Sequence, residues 1–311
     1  MLLSNNMGGY LKSFGHTEML DECIVLEKLH AIGWRCVDFS FNNIKPIEIN
    51  ILWHDDWEAR IARIREMADR LGMEIRQCHF PSTKFDSDKY YANGYNEYFE
   101  ECMRRAYIAA GMLGVKWGAL HPRTFAALNH ENQACKEANH AFYDKYIELG
   151  IKLGVGTALE NMLPPLNRNL RSTRYCTHYD QLIELADSYN DPLVGICWDT
   201  GHANQMRFDQ VRALRAVGKR LKAVHLNDNH FGARDEHLIP FLGELNWYDI
   251  MAALAEIGYE GTLNFETSPV GRKAPRGPLQ DALAQATYVS AQLLLEIYEE
   301  AAAKLAEAQP A

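Results

Sequence analysis

Carboxylate and imidazole side chains recur in this sequence at the ends of short apolar runs. The run LVGIC leads into WDTGH, which carries Asp199 and His202, and the run KAVHL carries His225. Such groups are costly to bury unless another group pairs with them. The full set at or just beyond these runs is His79, His121, Glu160, Asp199, His202, His225 and Glu266, with Asp235 and His237 in the later segment ARDEH.

These residue types are common metal ligands. Mixed carboxylate and imidazole donors suit Zn²⁺, Mn²⁺, Co²⁺ or Fe²⁺, and no thiolate is required. Five of the 12 histidines lie in these positions, whereas random placement would scatter them over helical surfaces. The pattern indicates a metal site, and a cation would explain how Asp199 is tolerated beside a buried strand. For Asp235 and His237, an ordinary cap or salt bridge is an equally open interpretation.

The apolar runs are predicted to be β-strands, each followed by a segment with helical spacing. The eight predicted strands are Leu2–Met7, Cys36–Phe41, Glu74–His79, Trp117–His121, Gly156–Glu160, Val194–Trp198, Ala223–Leu226 and Thr262–Glu266. The eight predicted helices span 18–33, 56–71, 95–113, 131–153, 177–189, 208–217, 247–257 and 278–303. Such alternation is typical of βα units with parallel strands.

Eight βα units predict a single-domain (β/α)₈ TIM barrel over residues 1–311, an α/β fold. In such a barrel the active site lies at the carboxyl ends of the strands, where residues distant in sequence meet. An open, doubly wound sheet is the competing fold. No G-x-G-x-x-G phosphate-binding motif follows the first predicted strand, which counts against that alternative.

Composition limits the kinds of partner. The formal net charge is −9 without any block of Lys and Arg, so the protein would repel a polyanion, and nucleic acid is disfavoured. The seven cysteines are odd in number and form no C-x-x-C pair, which favours a reducing compartment. Neither a signal peptide nor a stretch of transmembrane length is recognisable. We therefore expect a cytoplasmic protein that acts on a small molecule.

The order of the motifs ALEN, WDTGH, VHLND, DEHLIPFLGELNW and FETS resembles the xylose isomerase-like barrel superfamily, which includes sugar phosphate isomerases and epimerases and endonuclease IV. In its ketose 3-epimerase and inosose-processing branches, four ligands bind one divalent ion, here Mn²⁺, Zn²⁺, Co²⁺ or Mg²⁺. The resemblance carries these ligands onto Glu160, Asp199, His225 and Glu266. It also implies that Glu160 and Glu266 exchange a carbon-bound proton of a carbohydrate through an enediolate.

The other acids and imidazoles have two interpretations within this resemblance. In a sugar enzyme they are expected to bind substrate, and the residues concerned are His202, His79, His121, Asp235 and His237. In the endonuclease IV branch they would complete a three-metal cluster that cleaves DNA at apurinic sites. That branch usually has Cys in place of Gly201, this chain is acidic overall, and the loops after the early strands lack the interleaved basic and aromatic residues suited to binding a distorted DNA duplex.

The resemblance therefore favours a sugar isomerase or epimerase, with an inosose dehydratase as a related outcome and the apurinic-site phosphodiesterase as the alternative. Relatives commonly form dimers or tetramers, so a homo-oligomer is expected from the resemblance alone.

Overall fold

Eight parallel strands form the centre of the protein in a computed structural model that describes residues 1–16, 18–42, 49–82, 95–124, 132–164, 174–233 and 235–308. The strands are β1 (Leu3–Asn6), β2 (Cys36–Ser40), β3 (Glu74–His79), β4 (Trp117–Leu120), β5 (Gly156–Glu160), β6 (Val194–Asp199), β7 (Leu221–His225) and β8 (Leu263–Phe265). Consecutive strands pair from β1 to β7, and β8 pairs with β1.

The ring of strands is completed between β7 and β8. A parallel bridge joins Leu226 to Phe265. The Leu226 amide donates to the Asn264 carbonyl at 2.8 Å, and the Glu266 amide donates to the Leu226 carbonyl at 3.1 Å. The predicted (β/α)₈ barrel is confirmed, and its strand ends converge on one opening, which we call the mouth.

Helices alternate with the strands along the described chain. They are α1 (Gly8–Leu11), α2 (Glu22–Ile32), α3 (Trp57–Leu71), α4 (Tyr95–Leu113), α5 (Asn132–Leu153), α6 (Tyr179–Tyr189), α7 (Thr200–Gln205), α8 (Gln210–Val217), α9 (Trp247–Glu256), α10 (Ser268–Arg272) and α11 (Pro278–Ala308). The predicted start of α5 at Glu131 lies outside the described residues. The short helices α1, α7 and α10 were not predicted, because they are too brief to show an apolar period.

Capping residues move several helix ends away from the ends of the apolar pattern. Asp21 accepts the amide of Cys23, so α2 begins at Glu22 and not at the predicted residue 18. Asp209 accepts the amide of Arg212 and starts α8 later than predicted in the same way. The C-terminal end of α3 lies at Leu71, as predicted, because Gly72 follows with a φ of 64°, which a residue without a side chain adopts easily.

A ring of small side chains fills the barrel interior. It consists of Ala119, Ala158, Cys197 and Ala223, which are all fully buried. Side chains two positions apart on a strand point to the same face of the sheet. The interior positions next along the chain are therefore those of His121, Glu160, Asp199 and His225. The strand period thus accounts for the meeting of acids and imidazoles at the mouth.

The main apolar core lies between the barrel and its helices. Its largest fully buried side chains include Trp34, Trp198, Trp247 and Tyr107. Burial of one large apolar side chain stabilises a fold by about 1.5–3 kcal/mol. This outer core fixes the strands, and the strands in turn hold the polar groups of the mouth in place.

Candidate metal centre and active site

Four donors from the last four strands meet at the mouth, and we call them the central donor set. They are Glu160 at the end of β5, Asp199 at the end of β6, His225 at the end of β7 and Glu266 directly after β8. One donor atom from each lies within 4.8 Å of the other three. His225 Nδ1 is 3.1 Å from Glu160 Oε1 and 3.1 Å from Glu266 Oε2. This is the arrangement that a single metal ion requires of its ligands.

Several polar atoms of this set are buried without a hydrogen-bond partner of good geometry among the described residues. They are both carboxylate oxygens of Glu160 and both ring nitrogens of His225. Orphaned polar atoms in a protein interior are costly, and charged ones more so. A bound cation would satisfy the orphaned oxygens and one ring nitrogen together, so the residues present fit a divalent metal.

The protonation states of the set also fit a cation. Burial alone would raise the pKa of Glu160, but the charges of His225 and His121 hold it well below its usual range. For Glu266 burial is likewise outweighed by His225, and the pKa falls to about 2. Burial raises the pKa of Asp199, against the opposing charges of His202 and His237. Three carboxylates thus share a small volume, where a divalent ion would balance their charge.

Cys197 also lies close to Glu160 and His225. Burial raises the pKa of its thiol to about 12, so it stays protonated at neutral pH. A protonated thiol is a poor metal ligand. The structure therefore places Cys197 in the small-residue layer below the site, as the sequence predicted for a core residue.

Asp199 is oriented by a set of contacts that sequence reasoning missed. Its Oδ1 accepts the amide of His202 at 2.7 Å and caps α7, while its Oδ2 accepts from Asn227 Nδ2 at 2.8 Å. The side chain of Asn161 donates from Nδ2 to the carbonyl of Asp199 and accepts the amide of Asp199 at Oδ1. Outer partners of this kind fix the direction in which a ligand points. A recognisable signal was present, since Asp is a preferred helix N-cap and α7 follows directly.

Gly201 makes room for this arrangement, and its replacement is the first prediction. A Cβ at Gly201 would lie 2.0 Å from Asn227 Oδ1 and 3.0 Å from Asn229 Nδ2. We expect Gly201→Ala to displace Asn227 and to lower the free energy of unfolding by about 1–3 kcal/mol, the usual cost of overpacking. Urea unfolding measures the change.

The matched control is Gly111→Ala in α4, where a Cβ would meet its neighbours at 3.7 Å and 3.8 Å. That variant should be at least as stable as the wild type, because Ala favours a helix over Gly. A Gly201→Ala protein that unfolds at the wild-type urea concentration would contradict the expected clash.

Two imidazoles lie on one side of Glu160. His121 Nε2 is 3.1 Å from Glu160 Oε2, and His79 Nε2 is 3.6 Å from the same oxygen. His79 Nδ1 bonds the carbonyl of Phe80 at 2.8 Å, so Nδ1 carries the proton and Nε2 faces the site as an acceptor. Burial lowers the pKa of His79 to about 4, which keeps this ring neutral.

Asp235, His202 and His237 lie together near Asp199 and Glu266. His237 Nε2 is 3.0 Å from Asp235 Oδ1, and His202 Nε2 is 3.7 Å from it. The second ring nitrogens are bonded to backbone carbonyls, His202 Nδ1 to Asn161 and His237 Nδ1 to Glu266, each at 2.7 Å. The structure therefore brings all nine acids and imidazoles of the sequence analysis to the mouth. Asp199, His202 and His237 also form a candidate donor group of their own.

Asp228 holds the loop that carries Asp235 and His237, and the sequence analysis did not single it out. Its carboxylate accepts from Trp247 Nε1 at 2.9 Å and from the amide of Phe241 at 3.0 Å. Its backbone exchanges two hydrogen bonds with Leu238. These contacts hold His237 in a left-handed conformation, with φ of 49°, which a residue with a side chain adopts only when its surroundings impose it.

The fold and the site together define a (β/α)₈ barrel whose mouth is lined by carboxylate and imidazole side chains. The sequence profile of the xylose isomerase-like TIM barrel family matches residues 26–287. The chain therefore belongs to this family. No described helix is long and apolar enough to span a membrane.

Two curated relatives match part of the chain. An uncharacterised protein of Sinorhizobium fredii is 31% identical over 174 residues, which cover 54% of this chain and 52% of that protein. D-psicose 3-epimerase of Enterocloster bolteae is 31% identical over 87 residues, which cover 28% of this chain and 27% of the enzyme. The chain thus spans about half or less of the length of these relatives.

Solved structures resemble the barrel over nearly its whole length. A D-tagatose 3-epimerase-like protein superposes with a TM-score of 0.70 at 22% identity, covering 96% of this chain and 99% of that one. The zinc-bound IolI protein superposes with a TM-score of 0.68 at 16% identity, with coverages of 96% and 99%. At these identities the likeness establishes the shared fold.

Proposed function

We propose that this protein is a divalent-metal-dependent sugar isomerase or epimerase. One of the two carboxylates of Glu160 and Glu266 would remove a proton from a sugar carbon, and the other would return a proton to the substrate. The observation that carries the proposal is the central donor set, in which three carboxylates and one imidazole present atoms within 4.8 Å of one another. The names of the relatives support it, since one is a D-psicose 3-epimerase and one structural neighbour is a D-tagatose 3-epimerase-like protein.

Glu160, Asp199, His225 and Glu266 would hold the ion. When bound, a divalent cation polarises the oxygens of a sugar and thereby acidifies the C–H bond between them. The zinc bound to the structurally similar IolI protein supports the choice of a divalent metal, whose identity the donors leave open among Mn²⁺, Zn²⁺, Co²⁺ and Mg²⁺.

Glu160 and Glu266 differ in a way that suits a pair of proton acceptors. The low pKa of each leaves both carboxylates ionised at neutral pH, so either can take the proton from carbon, while the other takes a proton from solvent and returns it to the opposite face. The Glu160 side chain is 1% exposed, whereas that of Glu266 is 14% exposed. Glu266 is therefore the more accessible to an entering substrate, and His121 lies 3.1 Å from Glu160 as the group that can relay its proton.

The remaining polar groups would bind the hydroxyls of the sugar. His79 and His121 lie beside Glu160, and His202, Asp235 and His237 form a second group near Asp199 and Glu266. Alternating donors and acceptors around a mouth suit a polyol, whose hydroxyls both donate and accept. The substrate we propose is therefore a small carbohydrate. Location in the cytoplasm and assembly into a homo-oligomer remain predictions.

Solvent-deuterium exchange tests the proposal. The wild-type protein, loaded with Mn²⁺ or Zn²⁺, is incubated in D₂O with a panel of ketoses, ketose phosphates and inososes, and deuterium at carbon is read by mass spectrometry and NMR. We expect incorporation into at least one sugar, and its loss after chelation. Absence of exchange across the panel with a fully metal-loaded protein would contradict the proposal.

A phosphodiesterase is the second candidate, and the outer donor groups favour it. His79, His121 and Glu160 form one such group, and Asp199, His202 and His237 form another, so donors for more than one ion surround the mouth. Against it stands Gly201, because a cysteine there would place its Cβ 2.0 Å from Asn227 Oδ1. The acidic chain, with a net charge of −9, also disfavours DNA.

Metal stoichiometry distinguishes the two candidates. The sugar enzyme predicts one tightly bound divalent ion per chain, measured by elemental analysis after removal of loosely bound metal. About three ions per chain, together with cleavage of duplex DNA at an abasic site, would favour the phosphodiesterase and overturn the sugar enzyme.

A further inference from the structure

Two basic residues stand beside an otherwise acidic mouth. Arg272 ends α10, the helix that directly follows β8 and Glu266, and Lys12 follows α1, the helix directly after β1. Because β1 and β8 are paired neighbours in the barrel, these two connections lie side by side at the carboxyl ends of the strands. The two cations therefore flank the same edge of the mouth, next to Glu266.

Packing of α10 against α1 brings the two side chains together. Arg272 Nε donates to the carbonyl of Gly8 at 3.1 Å. A Cβ at Gly8 would lie 2.6 Å from Arg272 Nη2 and 2.8 Å from Asn6 Oδ1, so the guanidinium covers this glycine near the end of β1. Lys12 ends α1 with an extended backbone, and its charge is near enough to that of Arg272 for the two to repel each other.

Neither cation has an acidic partner in the part of the chain that the structure describes. No carboxylate oxygen there lies within 4.0 Å of Lys12 or Arg272, whereas Lys28 and Arg215 are paired with Asp281 and Glu256. Both side chains are partly buried. Burial lowers the pKa of Arg272, and burial together with the nearby Arg272 lowers that of Lys12. Glu266 attracts Arg272 without forming an ion pair within 4.0 Å, so burial and mutual repulsion remain unfavourable for the two cations, and a bound anion would relieve both costs.

We propose that Lys12 and Arg272 bind an anionic group of the substrate, so that the sugar acted on carries a phosphate or a carboxylate. The proposal rests on the proposed function, because it assigns the substrate class of the same mouth. A guanidinium offers paired donors that match both oxyanions, and an ammonium adds a point charge. Since Arg272 lies on the helix that begins just after Glu266, the anionic end of the sugar would bind beside the reacting carbon.

The test compares Arg272→Met and Lys12→Met with the wild type on three matched sugars: a ketose, its terminal phosphate and the corresponding keto acid. The readout is deuterium exchange as the ratio of kcat/KM for each charged sugar to that for the neutral one. We expect the ratio to fall about 10- to 100-fold in either variant, mainly through KM, because each removes a charge-assisted hydrogen bond. The more affected sugar identifies the anion as phosphate or carboxylate.

Two further variants separate charge from folding. Arg215→Met removes a surface guanidinium paired with Glu256 and should leave the ratio unchanged. Gly8→Ala keeps both charges but forces Arg272 Nη2 away from its place, so it should lower the ratio in the same direction. A ratio that stays at the wild-type value in Arg272→Met, Lys12→Met and Gly8→Ala, or a wild type that prefers the neutral ketose, would overturn the anion site.

Failure of the proposed function would be recognised separately. If no sugar exchanges deuterium, calorimetric titration of the metal-loaded wild type and Arg272→Met with inorganic phosphate decides the anion site alone. Binding that weakens about tenfold or more in the variant supports the site. Equal binding by both proteins overturns it.

Discussion

Glu266→Gln is expected to lower deuterium exchange into the substrate by about 10²- to 10⁴-fold, the usual contribution of a positioned acid or base. Gln has the same shape but cannot take a proton from carbon. The wild-type carboxylate is available for this step, because the pKa of Glu266 is only about 2. Glu160→Gln should have an effect of similar size, with loss of exchange from the opposite face of the substrate. Single-turnover exchange in D₂O, started from each epimer, measures both.

Metal occupancy must be known in this experiment, because both glutamates belong to the central donor set. Each variant is therefore assayed at saturating metal, with bound metal determined on the same sample. Glu256→Gln is the matched control, since Glu256 pairs with Arg215 on the surface between α8 and α9. Exchange at the wild-type rate in Glu266→Gln, at equal metal occupancy, would remove Glu266 from the proton transfer.

Asp199→Asn is expected to weaken metal binding by more than about 10- to 100-fold. That range is the usual effect of replacing a residue that only hydrogen-bonds to a metal ligand, and replacing a ligand itself should cost more. The substitution removes a negative charge from a fully buried position. It also sets a new amide against Asn227 Nδ2, which donates to Asp199 Oδ2 in the wild type. The helix cap survives, because Asn still offers an oxygen to the amide of His202. Competition with a chelating dye measures the affinity.

Asp235→Asn provides the comparison for this result. Asp235 lies 3.0 Å from His237 Nε2, outside the central donor set. A single-ion centre should keep its metal in Asp235→Asn, whereas a multinuclear centre should lose part of it. Unchanged metal affinity in Asp199→Asn would contradict the assignment of Asp199 as a ligand.

The sequence by itself determined the architecture and the identity of the polar groups at the mouth. The strands Glu74–His79 and Gly156–Glu160 were predicted to the residue, and the second is typical of a buried parallel strand, which is a short, mainly apolar run bounded by turns. Seven of the nine acids and imidazoles were recognised from their position at or just beyond the ends of these runs, and Asp235 and His237 from the segment ARDEH. Such a pattern is formed by residues that are adjacent in the sequence, so it can be recognised without any tertiary contact.

Only the tertiary structure decided how these groups are oriented and what surrounds them. The short helices α1, α7 and α10 have no apolar period, yet α7 orients Asp199, and the packing of α10 against α1 brings Arg272 to Gly8. The buried Asp228 is set by contacts with Phe241 in the following loop and with Trp247 at the start of α9. Orientation depends on hydrogen bonds between residues far apart in the chain. Those hydrogen bonds form only when the barrel closes, so they cannot be predicted from the order of the residues.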